Sequence, residues 1–90
     1  MAKKKLHKTI RELHAELKQT KTADKNIHAH IQRLLLEIDA LSREPGEIPL
    51  DRYRQLLERL RESAQHFEQE HLSLSLAVGR VIDALSNMGI

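Results

Sequence analysis

Residues 27–60 read IHAHIQRLLLEIDALSREPGEIPLDRYRQLLERL and contain both prolines of the chain. On either side of the prolines, apolar residues recur at steps of three and four, the spacing of one face of an α-helix. Pro45-Gly46 favours a turn, and Pro49 ends any helix that reaches it. The segment therefore predicts two helices, near 23–43 and 50–70, joined by a loop at 44–49. Their apolar stripes are Ile27, Ile31, Leu34, Ile38 and Leu41, then Tyr53, Leu57, Leu60, Ala64 and Phe67.

The same spacing continues toward both ends of the chain and predicts two more helices, near 4–20 and 73–87. Thr22 is a candidate N-cap of the second helix, with Asp24 in its first turn. Ser73 is a candidate cap of the fourth helix, and Gly89 followed by Ile90 has the form of a Schellman stop. The two outer stripes are Leu6, Ile10, Leu13 and Leu17, then Leu74, Val78, Val81, Leu85 and Met88.

These four stripes predict an all-α fold, a small antiparallel bundle of four helices in a single domain over 1–90. The alternating spacing of three and four residues continues across both outer junctions, from Leu17 to Ile27 and from Phe67 to Leu74. An alternative therefore stays open at this point. Two long helices would form a coiled-coil hairpin, and two such hairpins would dimerise into a four-helix assembly.

Composition excludes several classes of protein. The chain has 90 residues and a mass of 10.4 kDa, the size of one small domain. Tyr53 and Phe67 are its only aromatic residues, and turn-forming residues are too few for a β-sandwich or barrel. The absence of cysteine excludes disulfides and thiol catalysis. No run approaches the ~18 apolar residues of a membrane span, so we expect a cytoplasmic protein without a membrane partner.

Charge is unevenly distributed along the chain. Residues 1–25 carry eight basic and three acidic side chains, which sums to +5, whereas the net charge of +2 leaves −3 for the rest. A basic helix face neutralises phosphates, so a small nucleic-acid-associated protein is the alternative functional reading. The scarcity of aromatic residues argues against stacking on single-stranded nucleic acid. The candidate polyanion contacts are Lys3, Lys4, Lys5, Lys8 and Arg11.

Six histidines are the only hint of a metal site. No two of them stand at i and i+4, as a zincin-type site requires. Residues 68–71 match the Glu-x-x-His spacing of di-iron bundles, which need two such motifs where this chain has one. No glycine-rich phosphate loop or nucleophile motif is present either. We therefore expect no catalytic residues, no metal and no cofactor, and no small-molecule substrate is evident.

The fourth helix is apolar on two sides, because Leu72 and Leu76 lie opposite its main stripe, with Gly79 beside them. We expect such a helix to be central or to lie at an oligomer interface. The predicted function is a non-enzymatic module that assembles with itself or binds a helical protein partner. The candidate assembly surface is Leu72, Leu76, Val78, Val81, Leu85 and Met88.

Three segments carry a resemblance to a known family: LHAEL at 13–17, FEQEH at 67–71 and VIDALSNMGI at 81–90. Together they resemble the domain-of-unknown-function 4404 family, small bacterial helical proteins made essentially of this domain. The chain departs from the family pattern at Leu72, where relatives often have proline. The resemblance implies a compact all-helical bacterial protein. It brings no activity, cofactor or catalytic residue with it.

Overall fold

The computed structural model describes residues 2–43, 46–67 and 71–88, with side chains from residue 6 onward. It contains four helices: α1 (Ala2–Gln19), α2 (Lys25–Arg43), α3 (Leu50–Phe67) and α4 (Leu72–Ser86). No strand occurs in these ranges. The predicted fold class, a small all-α bundle, is confirmed. Predicted positions 68–70 and 89–90 lie outside the described residues, and so do Glu44 and Pro45 of the predicted loop.

The helices form a closed ring in which each packs against two neighbours. α1 lies between α2 and α4, and α3 lies between the same two helices from the other side. Consecutive helices are antiparallel. Glu37 pairs with Arg59 at 2.8 Å, whereas His30, earlier in α2, meets Ser63, later in α3. α1 and α4 form the most extensive contact, which closes the ring between the two ends of the chain.

The predicted stripes meet along the axis of this ring and form one core. Tyr53 and Phe67 are both buried in it, one near each end of α3. Thr9 is one of two buried polar residues in the described ranges, and its hydroxyl donates to the Leu6 carbonyl at 2.8 Å. The largest fully buried side chains are Leu6, Leu13, Leu17, Leu34, Leu56, Leu60, Phe67, Leu74, Val78, Val81 and Leu85.

The junction between α1 and α2 is a true break, so the two-long-helix alternative is wrong. The Asp24 carboxylate accepts hydrogen bonds from the backbone N–H groups of Asn26 (2.8 Å) and Ile27 (3.3 Å). Asp24 is therefore the N-cap of α2. The prediction that Thr22 caps this helix is wrong by two residues, because Thr22 instead accepts a hydrogen bond from the Asp24 N–H at 3.1 Å.

The junction between α3 and α4 is also a break. His71 has φ −134° and ψ 69°, which is not helical, and it occupies the N-cap position without a side-chain capping hydrogen bond. The predicted cap, Ser73, lies inside α4, which already begins at Leu72. At the other end, the Asn87 N–H donates to the Asp83 carbonyl at 3.0 Å. The predicted Schellman glycine, Gly89, lies outside the described residues.

Candidate interaction surface

α4 turns two large apolar side chains away from the core. Leu72 is 69% exposed and Leu76 is 64% exposed, and the two lie one turn apart on the same helix. Two other leucines are comparably exposed, Leu36 on α2 and Leu50 at the start of α3, and each lies on a different helix. α4 is thus the helix that presents a pair of exposed leucines.

The remaining residues of the predicted assembly surface do not join this pair. Val78, Val81 and Leu85 are completely buried in the core of the same chain, and Met88 is half-buried against it. Their stripe faces α1 and α3, the two neighbours of α4 in the ring. Of the six candidate residues, only Leu72 and Leu76 are therefore open. α4 is also not central, since it occupies one corner of the ring.

Gly79 continues the exposed face of α4 by one turn, at i+3 from Leu76 and i+7 from Leu72. A β-carbon placed at Gly79 would meet nothing within 4 Å. The helix backbone is therefore accessible at this point. Arg80, next to it, reaches Glu12 of α1 at 3.5 Å and borders the face. We call Leu72, Leu76 and Gly79 the outer face of α4.

The basic residues predicted to contact a polyanion belong to α1. Lys8 and Arg11 are exposed. Lys3, Lys4 and Lys5 lie in the helical backbone of α1, whose first turn contains no acidic residue. The side chains of these three lysines are outside the described part of the chain. The structure thus places all five positions on one helix.

Two histidines that the sequence separates come together between α2 and α3. The rings of His30 and His66 stack with centroids 4.3 Å apart and an angle of 24° between their planes. The Ser63 hydroxyl lies 3.3 Å from Nδ1 of His30. Burial and, next, the proximity of His66 lower the pKa of His30 below its ordinary value of 6.5. Sequence spacing gave no sign of this pair, because its members belong to different helices.

The other histidines do not assemble into a metal site. His14 Nε2 lies 3.1 Å from an oxygen of Asp39, across the α1–α2 contact. His71 Nε2 is buried and has no hydrogen-bond partner among the residues that the structure describes. Among the residues that the structure describes, no three His, Cys, Asp or Glu side chains are grouped to hold a metal ion. The glutamates of the Glu-x-x-His segment lie outside those residues.

No helix in the described ranges is both long and apolar enough to cross a membrane. No curated protein and no solved structure matches the chain. A family described as Domain of unknown function (DUF4404) matches residues 6–90, which is nearly the whole chain. The resemblance seen in the sequence is thereby confirmed, and the chain belongs to the DUF4404 family.

Proposed function

We propose that this protein is a non-enzymatic interaction module that associates with a second copy of itself through the outer face of α4. The observation that carries the proposal is the exposure of Leu72 and Leu76 one turn apart. Each of these side chains gains about 1.5–3 kcal/mol if it is fully removed from water. Small domains commonly gain additional apolar burial by dimerising.

The outer face of α4 is complementary to itself. Leu76 projects from the helix, and three residues later Gly79 leaves the backbone open. In an antiparallel pair of α4 helices, a two-fold axis between these positions places each Leu76 over the Gly79 of the partner copy. Both contacts form at once, which is the property of an isologous interface. A glycine at such a contact permits close approach of the two helix backbones.

The expected dimer is weak and concentration-dependent. Its apolar centre consists of two leucines from each copy, whereas association costs on the order of 4–15 kcal/mol in lost translational and rotational freedom. The free energy gained by burying these leucines and the free energy lost on association are of similar size. Because the contact is mainly apolar, added salt should change it little.

Sedimentation equilibrium of the full chain over a hundredfold concentration range, at two salt concentrations, tests the proposal. A reversible dimer that is insensitive to salt supports it. Leu76→Glu should shift the protein to monomer, whereas Leu36→Glu should not. The second variant is a matched control, because Leu36 is equally exposed (70%) but no leucine, isoleucine or valine lies three or four residues away from it on α2. A monomer at every concentration contradicts the proposal, and so does an equal effect of the two variants.

One observation favours a nucleic-acid-associated function as the second candidate. The lysines at positions 3–5 belong to the first turns of α1, where positive charge opposes the helix dipole, and the first turn itself contains no acidic residue. A phosphate backbone would relieve that repulsion. Binding to duplex DNA that falls steeply with salt, and that weakens when residues 2–5 are removed, supports this candidate. Absence of salt-dependent binding contradicts it.

A further inference from the structure

A cavity of about 330 Å³ opens at the end of the bundle where α2 ends and α3 begins. α1, α2, the loop before α3 and α3 itself all contribute to its wall. Antiparallel packing places the start of α4, and with it Leu72, at the opposite end of the bundle. The cavity is therefore separate from the outer face of α4. Its described lining includes His7, Ile10, Arg11, Leu41, Ile48 and Tyr53.

The wall of this cavity is mostly apolar. Ile10, Leu41, Ile48 and Tyr53 come from four different segments and form one apolar surface. Tyr53 and Leu41 also belong to the buried core, which holds that side of the cavity in place. Volume and composition both fall within the range of small-molecule sites, which are apolar with a few polar groups. The apolar wall suits an aliphatic chain.

The described lining contains two basic residues, one histidine and one arginine. His7 and Arg11 stand one turn apart on α1, on the same side of the helix as Ile10. No carboxylate belongs to the described lining, and Arg11 forms no ion pair with a described residue. The positions three and four residues from Arg11 on its own helix hold His7, Lys8, His14 and Ala15, none of them acidic. Within the described part of the chain, the guanidinium is thus available to bind an anion at the mouth of the cavity.

From this combination we infer that the cavity binds a single-chain anionic amphiphile, a monoacyl carboxylate. The aliphatic chain lies against Ile10, Leu41, Ile48 and Tyr53, and the carboxylate pairs with Arg11. A planar guanidinium binds a carboxylate through two parallel hydrogen bonds. One arginine at the mouth thus matches a ligand that carries one carboxylate.

Tyr53 provides a direct probe of this site, because it is the only tyrosine and the chain has no tryptophan. Decanoate, kept below its micelle-forming concentration, is titrated into the full chain at pH 8 while tyrosine fluorescence is followed. Calorimetry supplies the stoichiometry. We expect saturable binding of one decanoate per chain. Decanol, which has the chain without the charge, and acetate, which has the charge without the chain, should both bind at least tenfold more weakly.

Arg11→Gln should weaken decanoate binding about tenfold or more, since it removes one charge-assisted pair. Arg11 is exposed, so this variant should keep the fold, and circular dichroism checks that it does. Lys18→Gln is the matched control, because it removes one exposed positive charge near the other end of α1.

Three results would overturn the inference. The first is the absence of saturable decanoate binding, including the case in which the protein binds anionic phospholipid vesicles instead. The second is an equal loss of affinity in Arg11→Gln and Lys18→Gln, which would indicate unspecific attraction. The third is binding of decanol as tight as that of decanoate. None of these results bears on self-association, because the outer face of α4 contributes nothing to the cavity.

Discussion

The imidazole rings of His30 and His66 stack 4.3 Å apart across the contact between α2 and α3. Ser63 lies against the His30 ring, and Phe67 approaches the His30 ring edge-on with ring centroids 6.4 Å apart. Partial burial of His30 and the neighbouring His66 make protonation of His30 less favourable in the folded chain than in water. We therefore expect protonation of His30 to weaken the contact between these two helices.

The pKa shift of His30 predicts that stability falls on acidification. Because the folded-state pKa lies below the ordinary 6.5, the unfolded chain binds more protons as pH drops through that value. The contribution of His30 to stability is therefore complete above about pH 6.5 and is lost as the pH falls from that value through the folded-state pKa. Glu62 opposes this shift, whereas Arg33 adds to it.

The midpoint of thermal unfolding is measured at pH 7.5 and at pH 5.5, for the wild type and for His30→Gln. The variant has no titrating ring at this position, so its midpoint should drop less between the two pH values. His28→Gln, an exposed histidine on the same helix, should behave like the wild type. An equal drop in the wild type and in His30→Gln would show that the stacked pair does not contribute.

Asp24→Ala should destabilise the protein by about 1 kcal/mol. The substitution removes the carboxylate that accepts the N–H groups of Asn26 and Ile27 at the start of α2. Urea denaturation followed by circular dichroism measures the change. Lys25→Ala, one residue further along, removes no capping contact and should change stability by less than about 0.5 kcal/mol. A loss of the same size in both variants would contradict the capping role.

Leu85→Glu and Leu76→Glu should behave differently although both residues lie on α4. Leu85 is completely buried, so a carboxylate at this position is buried without a partner and the chain should not fold at neutral pH. Leu76→Glu leaves the core untouched and should retain wild-type helicity. Circular dichroism at 25 °C distinguishes the two. Unfolding of Leu76→Glu would show that this side chain supports the core of the single chain.

Gly79→Ala should stabilise the single chain by up to about 1 kcal/mol. Alanine has the higher helix propensity, and the added β-carbon meets nothing within 4 Å. The same methyl group lies where Leu76 of a second copy would sit, so the variant should associate more weakly. Chemical denaturation at low concentration measures the first effect, and sedimentation equilibrium measures the second. Undiminished association would argue against close approach at Gly79.

The helical segments and their apolar faces were predictable from the sequence, whereas the breaks at the two outer junctions were not certain from it. Each stripe, such as Ile27–Ile31–Leu34, repeats at helical spacing, and that spacing acts within a few residues. The caps were predicted less well. Thr22 and Asp24 both have side chains that accept an N–H, and only the path of residues 20–24 selects Asp24. Leu72 and Leu76 were correctly placed opposite the main stripe of α4.

The sequence by itself determined which residues form helices and which face of each helix is apolar, because both properties are local. The tertiary structure decided which apolar residues remain exposed. Val81 and Leu76 are both apolar residues of α4, yet α1 and α3 cover the first and leave the second open. The tertiary structure also places His30 against His66, and Arg11 at the cavity beside Tyr53. These relations depend on the order and relative offset of the helices in the ring, which arise from the packing of all four stripes at once.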